Sequence, residues 1–119
     1  MQIGNKNKCT PIIGPAFEKI YELIGAETMS KDVSVAYLEL PKGASTSKHY
    51  HPTMVEIYYV LEGNAQLLID DELKAISKND IIYIKKNSIH HLKNHSCDVL
   101  HLLTISIPAW TPQSEIIID

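Results

Sequence analysis

Short runs of β-forming residues recur along the chain, separated by polar turns. The first, VSVAYLEL, ends at the turn residues of positions 41–43, and the runs EIYYVL, AQLLI, IIYI, HHLKN and VLHLLTISI follow it. The intervening breaks contain turn formers such as Gly63 and Asn64, or Asp70 and Asp71. Short strands at regular intervals are typical of a β-sandwich or barrel, so the pattern predicts an all-β fold.

The amino-terminal part has a different periodicity. Phe17, Ile20, Tyr21 and Ile24 are spaced by three and four residues, with a proline before them and a glycine after them. This spacing places apolar side chains on one face of a helix. The sequence therefore predicts a short helix over residues 15–24.

Structure is also predicted for two further segments. Residues 64–78 have room for little besides a hairpin, whose charged turn at positions 70–74 we expect to be solvated. The carboxy-terminal run 116–118 is apolar. It is expected to pair as a late strand, or to lie across the barrel or a partner subunit.

Candidate chemistry begins with two histidines two residues apart. Alternate side chains of a β-strand point to the same face, so His49 and His51 share a face and Tyr50 points away from it. The four residues that follow are enough to turn the chain and return Glu56 to the same point. The pattern predicts that these three side chains bind one metal ion.

The segment 43–63 also resembles the first motif of the cupin family. That motif has a glycine, five residues, His-x-His, four residues, Glu, six residues and a glycine, and every position is matched. Residues 79–94 resemble the second motif in spacing. Asn79, Lys85, Asn87, His90 and Asn94 stand where the family usually has Gly, Pro, Gly, His and Asn. Asparagine tolerates the left-handed backbone conformation, so we expect the two turns to survive the loss of glycine.

The resemblance implies a fold and a ligand set. The fold is a double-stranded β-helix, the jelly-roll cupin barrel, over about residues 33–107 of a single domain that spans residues 1–119. The implied metal ligands are His49, His51, Glu56 and His90. Three imidazoles and one carboxylate suit one divalent transition metal per chain, namely Fe, Mn, Ni, Zn, Co or Cu.

Other chemically capable residues have weaker claims. Tyr58 shares the strand parity of Glu56, so it is expected to line a pocket, either as a proton donor or as an ordinary barrel tyrosine. His101 is read either as a contact inside the barrel or as a hydrogen-bonded structural histidine. These two are the only catalytic candidates. His91 is expected to face away from the metal and His95 to be solvated, and neither they nor the two cysteines, Cys9 and Cys97, are assigned a function.

Composition narrows the possible functions. The chain has 119 residues and a net charge of -3, and it has no lysine-rich run, so nucleic-acid binding is not expected. No apolar run reaches the length of a signal peptide or of a membrane span, so the protein is expected to be soluble and cytoplasmic. Exposed apolar termini, including Ile12 and Ile13, predict a homodimer.

The resemblance leaves two functions open. One is a metal-dependent enzyme of the dioxygenase, isomerase or lyase type, acting on a small molecule at an open metal position. The other is a non-catalytic small-molecule binding or sensing module. Fold and ligand set are shared across such activities, so neither the substrate nor the reaction follows from them.

Overall fold

The computed structural model describes residues 1–118 as two antiparallel β-sheets that face each other. The strands are β1 (Ile12–Ile13), β2 (Lys19–Ile24), β3 (Ser34–Leu40), β4 (His49–Tyr50), β5 (Val55–Glu62), β6 (Asn64–Ile69), β7 (Glu72–Ser77), β8 (Ile81–Ile84), β9 (His90–Lys93), β10 (Leu100–Ile107) and β11 (Ile116–Ile117). The six-stranded sheet has the order β1-β2-β3-β10-β5-β8, and the five-stranded sheet has the order β11-β4-β9-β6-β7. The all-β prediction is confirmed, although Asp119, the last residue of the predicted domain, lies outside the described residues.

The predicted amino-terminal helix is wrong. Its second half is strand β2, which pairs with β3 so that Ile20 lies opposite Leu38. Its first half contains a tight turn in which Phe17 has a φ of 61° and donates its N–H to the carbonyl of Gly14 at 3.0 Å. Helical periodicity and strand-forming residues coexisted in this segment, and pairing with β3 decided between them. Within residues 1–118 the only helical elements are two 3-10 turns, Lys6–Lys8 and Pro112–Ser114.

The two asparagine turns of the second motif have the expected backbone. Asn79 and Asn87 adopt φ values of 74° and 68°, in the left-handed region that glycine favours. Residues 64–78 form the predicted hairpin, β6 and β7. The carboxy-terminal apolar run forms β11, which pairs with β4, so the late-strand interpretation is confirmed.

Along the strands of the six-stranded sheet, the inward-facing side chains change from small or polar to large and apolar. On β3 the inward residues run from Ser34 and Ala36 to Leu38 and Leu40, and β10 changes in the same way because it is paired with β3 in register. One end of the barrel is therefore an apolar core, and the other end is lined by small and polar side chains. The core comprises Leu38, Leu40, Tyr58, Val60, Ala65, Leu67, Ile76, Ile84, Leu92, Leu100 and Leu102.

Membrane spanning by a helix finds no support in the described part of the chain. None of its helical segments combines the length and the apolar character that a transmembrane helix needs.

Candidate metal centre

Four side chains predicted from the motifs meet at the polar end of the barrel. One possible ligand atom from each of His49, His51, Glu56 and His90 lies within 4.8 Å of every other, and all four residues are buried. His49 lies on β4 and His90 on β9, and the two are directly paired across the sheet. Glu56 comes from β5 in the other sheet. The cluster therefore bridges the two sheets, and it joins His90 to three residues that lie more than 30 positions earlier in the chain.

In all three histidines the Nδ1 atom of the imidazole is hydrogen-bonded to a backbone carbonyl. Since a carbonyl only accepts hydrogen bonds, each Nδ1 must be the protonated nitrogen, and each Nε2 of a neutral ring then offers a lone pair towards the cluster. The donors and acceptors are His49 Nδ1 to the Ser47 oxygen (2.7 Å), His51 Nδ1 to the Ser114 oxygen (3.0 Å) and His90 Nδ1 to the Ser88 oxygen (2.8 Å). This outer shell of hydrogen bonds is typical of metal-binding histidines.

The centre of the cluster holds the strongest evidence that a metal fits. The Nε2 atom of His51 has no hydrogen-bond partner in the described chain, and the residue is only 3% exposed. Buried polar atoms are rarely left unsatisfied. A metal ion would satisfy this atom together with the carboxylate of Glu56, whose Oε1 lies 3.4 Å from His51 Nε2 and 3.1 Å from His90 Nε2.

Charge within the cluster shifts three of its titrating groups. Burial alone would raise the pKa of Glu56, but the adjacent His51 and His90 imidazoles outweigh it and lower the pKa to about 2. For His51, burial lowers the pKa, but the Glu56 carboxylate more than offsets this and the pKa is raised. His49 differs, because burial and then the neighbouring His90 lower its pKa. Glu56 therefore stays ionised beside His51, and a metal that binds the Nε2 atom of His51 competes with a proton for it.

A cavity of about 230 Å³ adjoins the cluster. His49 and Glu56 form part of its wall, with Tyr58 and Trp110 beside them. Burial, and then the charge of Glu56 and a hydrogen bond to it, raise the pKa of the Tyr58 phenol well above its usual value. Tyr58 lines the cavity, as its strand parity predicted, and its protonated phenol donates a hydrogen bond to Glu56.

Glu115 was not among the predicted site residues, because the tail was expected only to pair as a late strand or to lie across the barrel or a partner subunit. The carboxylate Oε1 of Glu115 lies 3.7 Å from His49 Nε2, and the carbonyl of its neighbour Ser114 orients His51. The pairing of β11 with β4 brings both residues to the cluster. No motif marks them, since their position depends on a pairing between segments 66 or more residues apart.

Two further acidic residues of the cavity, Glu18 and Glu22, were missed for a different reason. Both line the cavity from β2 and the turn before it. Alternation along a strand places Glu18, Ile20 and Glu22 on one face. The helical interpretation of this segment hid that alternation, although the β-forming residues of KIYELI were a visible signal.

The other candidates lie away from the cluster. His101 is on the outer face of β10, where its Nδ1 is 2.9 Å from the hydroxyl of Tyr37, so the structural alternative describes it better than a contact inside the barrel. His95 is exposed in its turn, and Cys97 is also exposed. His91 is half-buried and alternates with the inward-facing His90. Cys9 is partly buried, and neither cysteine forms a disulfide.

Comparison with known proteins points to one family. The cupin domain family matches residues 36–106. An uncharacterized protein of Methanocaldococcus jannaschii is 34% identical over 86 residues, which cover 72% of this chain and 69% of that protein.

Two solved structures share the fold at lower identity. The crystal structure of a predicted oxalate decarboxylase from Thermotoga maritima has a TM-score of 0.82 at 22% identity and covers 90% of this chain and 99% of its own. The polyketide cyclase RemF of Streptomyces resistomycificus has a TM-score of 0.84 at 17% identity and covers 100% of this chain and 86% of its own. At these identities the two structures establish the fold alone.

Proposed function

Because the chain belongs to the cupin domain family, we propose that it is a metal-dependent enzyme that acts on a small molecule in the barrel cavity. His49, His51, Glu56 and His90 hold one divalent transition metal. The observation that carries the proposal is the convergence of four buried ligand atoms within 4.8 Å. Three of these residues have their outer nitrogen fixed by a backbone carbonyl, so the cluster is organised before any metal binds.

The donor set favours a transition metal over calcium or magnesium. Imidazole nitrogens suit Fe, Mn, Co, Ni, Cu and Zn, whereas Ca²⁺ and Mg²⁺ prefer oxygen ligands. Such an ion, when bound, polarises a substrate oxygen or acidifies a water, and a redox-active one also exchanges electrons. Dioxygenase, isomerase and lyase chemistry are all compatible with this set.

Two residues beside the cluster support catalysis over simple binding. The Tyr58 phenol donates its proton in a hydrogen bond to the Glu56 carboxylate at the cavity wall, so its oxygen remains able to accept a hydrogen bond from a substrate. The Glu115 carboxylate lies 3.7 Å from His49 Nε2 and faces the same cavity, so it can hold a proton taken from a substrate there. A binding module would need neither group so close to the ligands.

Elemental analysis tests the metal centre. Untagged protein prepared without chelator is compared with a His49→Ala/His90→Ala double variant and with His95→Ala, which removes an exposed histidine from a turn. We expect about one metal per chain in the wild type and in His95→Ala, and little in the double variant, with β-sheet circular dichroism unchanged in all three. Equal metal in the wild type and the double variant would refute the ligand set. No metal in any sample would favour the non-catalytic binding module.

We further propose a homodimer. Ile13 and Ile117 are each 54% exposed, and they lie on β1 and β11, which are edge strands of the two sheets. Apolar side chains on exposed sheet edges are a surface that a partner can cover. Sedimentation of the wild type should show a dimer, and Ile13→Lys should weaken it. A single 13.4 kDa species at all working concentrations would contradict the proposal.

A further inference from the structure

The carboxy-terminal residues 111–118, here called the strap, contact two of the four candidate ligands. The carbonyl of Ser114 accepts a hydrogen bond from His51 Nδ1 at 3.0 Å, and Glu115 Oε1 lies 3.7 Å from His49 Nε2. The strap reaches these histidines because its strand β11 pairs with β4. The centre is therefore assembled partly from a segment that lies outside both sequence motifs.

Two of the three histidines are oriented by local backbone, and His51 is not. The Nδ1 atoms of His49 and His90 are bonded to the carbonyls of Ser47 and Ser88, each only two residues earlier in the chain. The acceptor for His51 is 63 residues away, on the strap. The outer hydrogen bond of His51 therefore exists only while the strap is docked on the barrel.

The strap holds the carbonyl that accepts from His51 in a turn of its own. The N–H of Thr111 donates to Ser114 Oγ at 3.0 Å, and Ser114 Oγ donates to the carbonyl of Thr111 at 2.8 Å. The N–H of Ser114 donates to the same carbonyl at 3.0 Å. These bonds lie within the strap, so they shape the turn without fastening it to the barrel.

Contacts outside the metal centre fasten the strap only weakly. Among the described strands, β11 is a two-residue edge strand that pairs with β4 alone. Beside it, the N–H of Ile118 donates to the carbonyl of Lys48 at 3.0 Å, and the hydroxyl of Ser114 contacts the sulfur of Met54 at 3.5 Å. The side chains of residues 116–118 are exposed, so their burial contributes little to docking. Segments with few buried apolar contacts open at a low cost in free energy.

We propose that the strap and the metal centre are linked, so that metal binding tightens the docking of the strap and docking strengthens metal binding. Ser114 and Glu115 are the positioning residues. The inference rests on the proposed function, because it requires a metal at the cluster. A metal at His51 Nε2 fixes the ring that donates to Ser114, and its charge attracts the carboxylate of Glu115. Linkage is reciprocal, so each event strengthens the other by the same factor.

The link extends to the cavity. Glu115 and Ile117 of the strap line the cavity, and so does Trp110, which directly precedes the strap. The docked strap therefore forms part of the cavity wall, and that part is lost when the strap leaves the barrel. Metal loading should thus favour the closed form of the cavity.

Hydrogen exchange followed by NMR tests whether metal tightens the strap. The probe is Zn²⁺, whose filled d shell makes it diamagnetic. Exchange at the amide of Ile118 is compared between chelator-treated and Zn²⁺-loaded protein in the same oligomeric state, because a partner subunit that covered the strap would also hold it. We expect loading to slow this exchange by about tenfold or more. The amide of Asp80, bonded in the turn between β7 and β8, should change little. Zn²⁺ binding without slower exchange at Ile118 would overturn the inference.

A proline at position 118 tests whether the strap strengthens metal binding. Ile118→Pro removes the N–H that donates to Lys48 and changes no residue that contacts the cluster. Ile118→Ala is the matched control, since it keeps the N–H and removes the side chain. In competition with a chelator, Ile118→Pro should bind Zn²⁺ about tenfold more weakly than Ile118→Ala. Equal affinities in the two folded variants would overturn the link.

Variants of Glu115 test its part in the link. Glu115→Gln keeps the size of the side chain and removes its charge, so it should weaken Zn²⁺ binding and reduce the protection of Ile118. Glu115→Asp should recover part of both effects, whereas Glu22→Gln, which removes a cavity carboxylate carried by β2, should have a smaller effect. A purely structural role for Glu115 would instead lower the stability of chelator-treated protein and leave Zn²⁺ affinity unchanged.

The outcomes separate this inference from the metal proposal. Absence of Zn²⁺ binding in the wild type would refute the metal centre, and the inference with it. Binding that is lost in the His49→Ala/His90→Ala double variant, but that neither protects Ile118 nor responds to Ile118→Pro, would support the metal centre and overturn the link alone.

Discussion

The two ends of the barrel are built from the same strands but contain opposite kinds of residue. One end, here called the closed end, is the apolar core described above. There Leu40 on β3, Leu100 on β10 and Leu92 on β9 are fully buried. At the metal end, the inward positions of β3 and β10 are Ser34 and Ser106, and β9 contributes His90. A shift of a few residues along each strand therefore replaces core with site.

This difference implies that the apolar end contributes most of the folding stability, whereas the polar end holds the candidate metal site. Leucines at the closed end gain free energy by leaving water. The metal end gathers charged and polar groups whose burial costs free energy unless they are paired. The fold can hold such a cluster because the closed end stabilises the strands that carry it, so substitutions at the two ends should have separable effects.

The largest expected effect comes from a cavity at the closed end. Leu100→Ala should destabilise the protein by about 2–5 kcal/mol, because it removes a fully buried side chain and leaves an unfilled space. Denaturant unfolding measures the change, and elemental analysis of the folded variant should still find the wild-type metal content. Leu73→Ala, at an exposed position of β7, is the matched control. Loss of metal from folded Leu100→Ala would show that the two ends are not independent.

Acid should act on the metal end. The pKa of Glu56 is about 2 in the folded protein, below its ordinary value of 4.5. The unfolded state therefore binds the proton first, and the stabilisation from this carboxylate is present above pH 4.5 and is lost as the pH falls towards 2. The full shift corresponds to about 3 kcal/mol. His49 and His51 shift in opposite directions, so their contributions oppose each other at higher pH.

Unfolding of chelator-treated protein between pH 6 and pH 2 measures this loss. Glu56→Gln should flatten the acid side of the stability profile, whereas Glu72→Gln, at an exposed position, should not. An unchanged profile in Glu56→Gln would mean that other carboxyl groups cause the acid sensitivity.

A smaller effect is expected from Asn94, which ties the loops of the closed end together. Its buried amide donates to the carbonyls of Leu40 and Asp98 at 3.0 and 2.9 Å, and its side-chain oxygen accepts from Ser96. Asn94→Ala leaves these groups without partners and should cost about 1–3 kcal/mol in denaturant unfolding. Metal content should not change. Stability equal to the wild type would show that water replaces these bonds.

How far the sequence predicts the molecule depends on the range of the interactions. The convergence of the four candidate ligands could be predicted, because local spacing and strand parity determine where His49, His51 and Glu56 point and the motif resemblance adds His90. Glu115 could not, since its approach to His49 depends on β11 pairing with a strand far away in sequence. Glu22 was hidden because local periodicity favoured a helix while pairing with β3 imposed a strand.

The smallest effect is expected at Asn87, in the turn of the second motif that precedes β9. Asn87 has a φ of 68°, and its N–H donates to the carbonyl of His51 at 2.9 Å. Asn87→Gly keeps both features, since glycine adopts this conformation without steric strain but adds entropy to the unfolded chain, so its stability should lie within about 1 kcal/mol of the wild type. Asn87→Val, whose branched side chain disfavours positive φ, should be less stable and should weaken metal binding through His51. If Asn87→Val matched Asn87→Gly in both stability and metal affinity, the left-handed turn would not help to position the metal end.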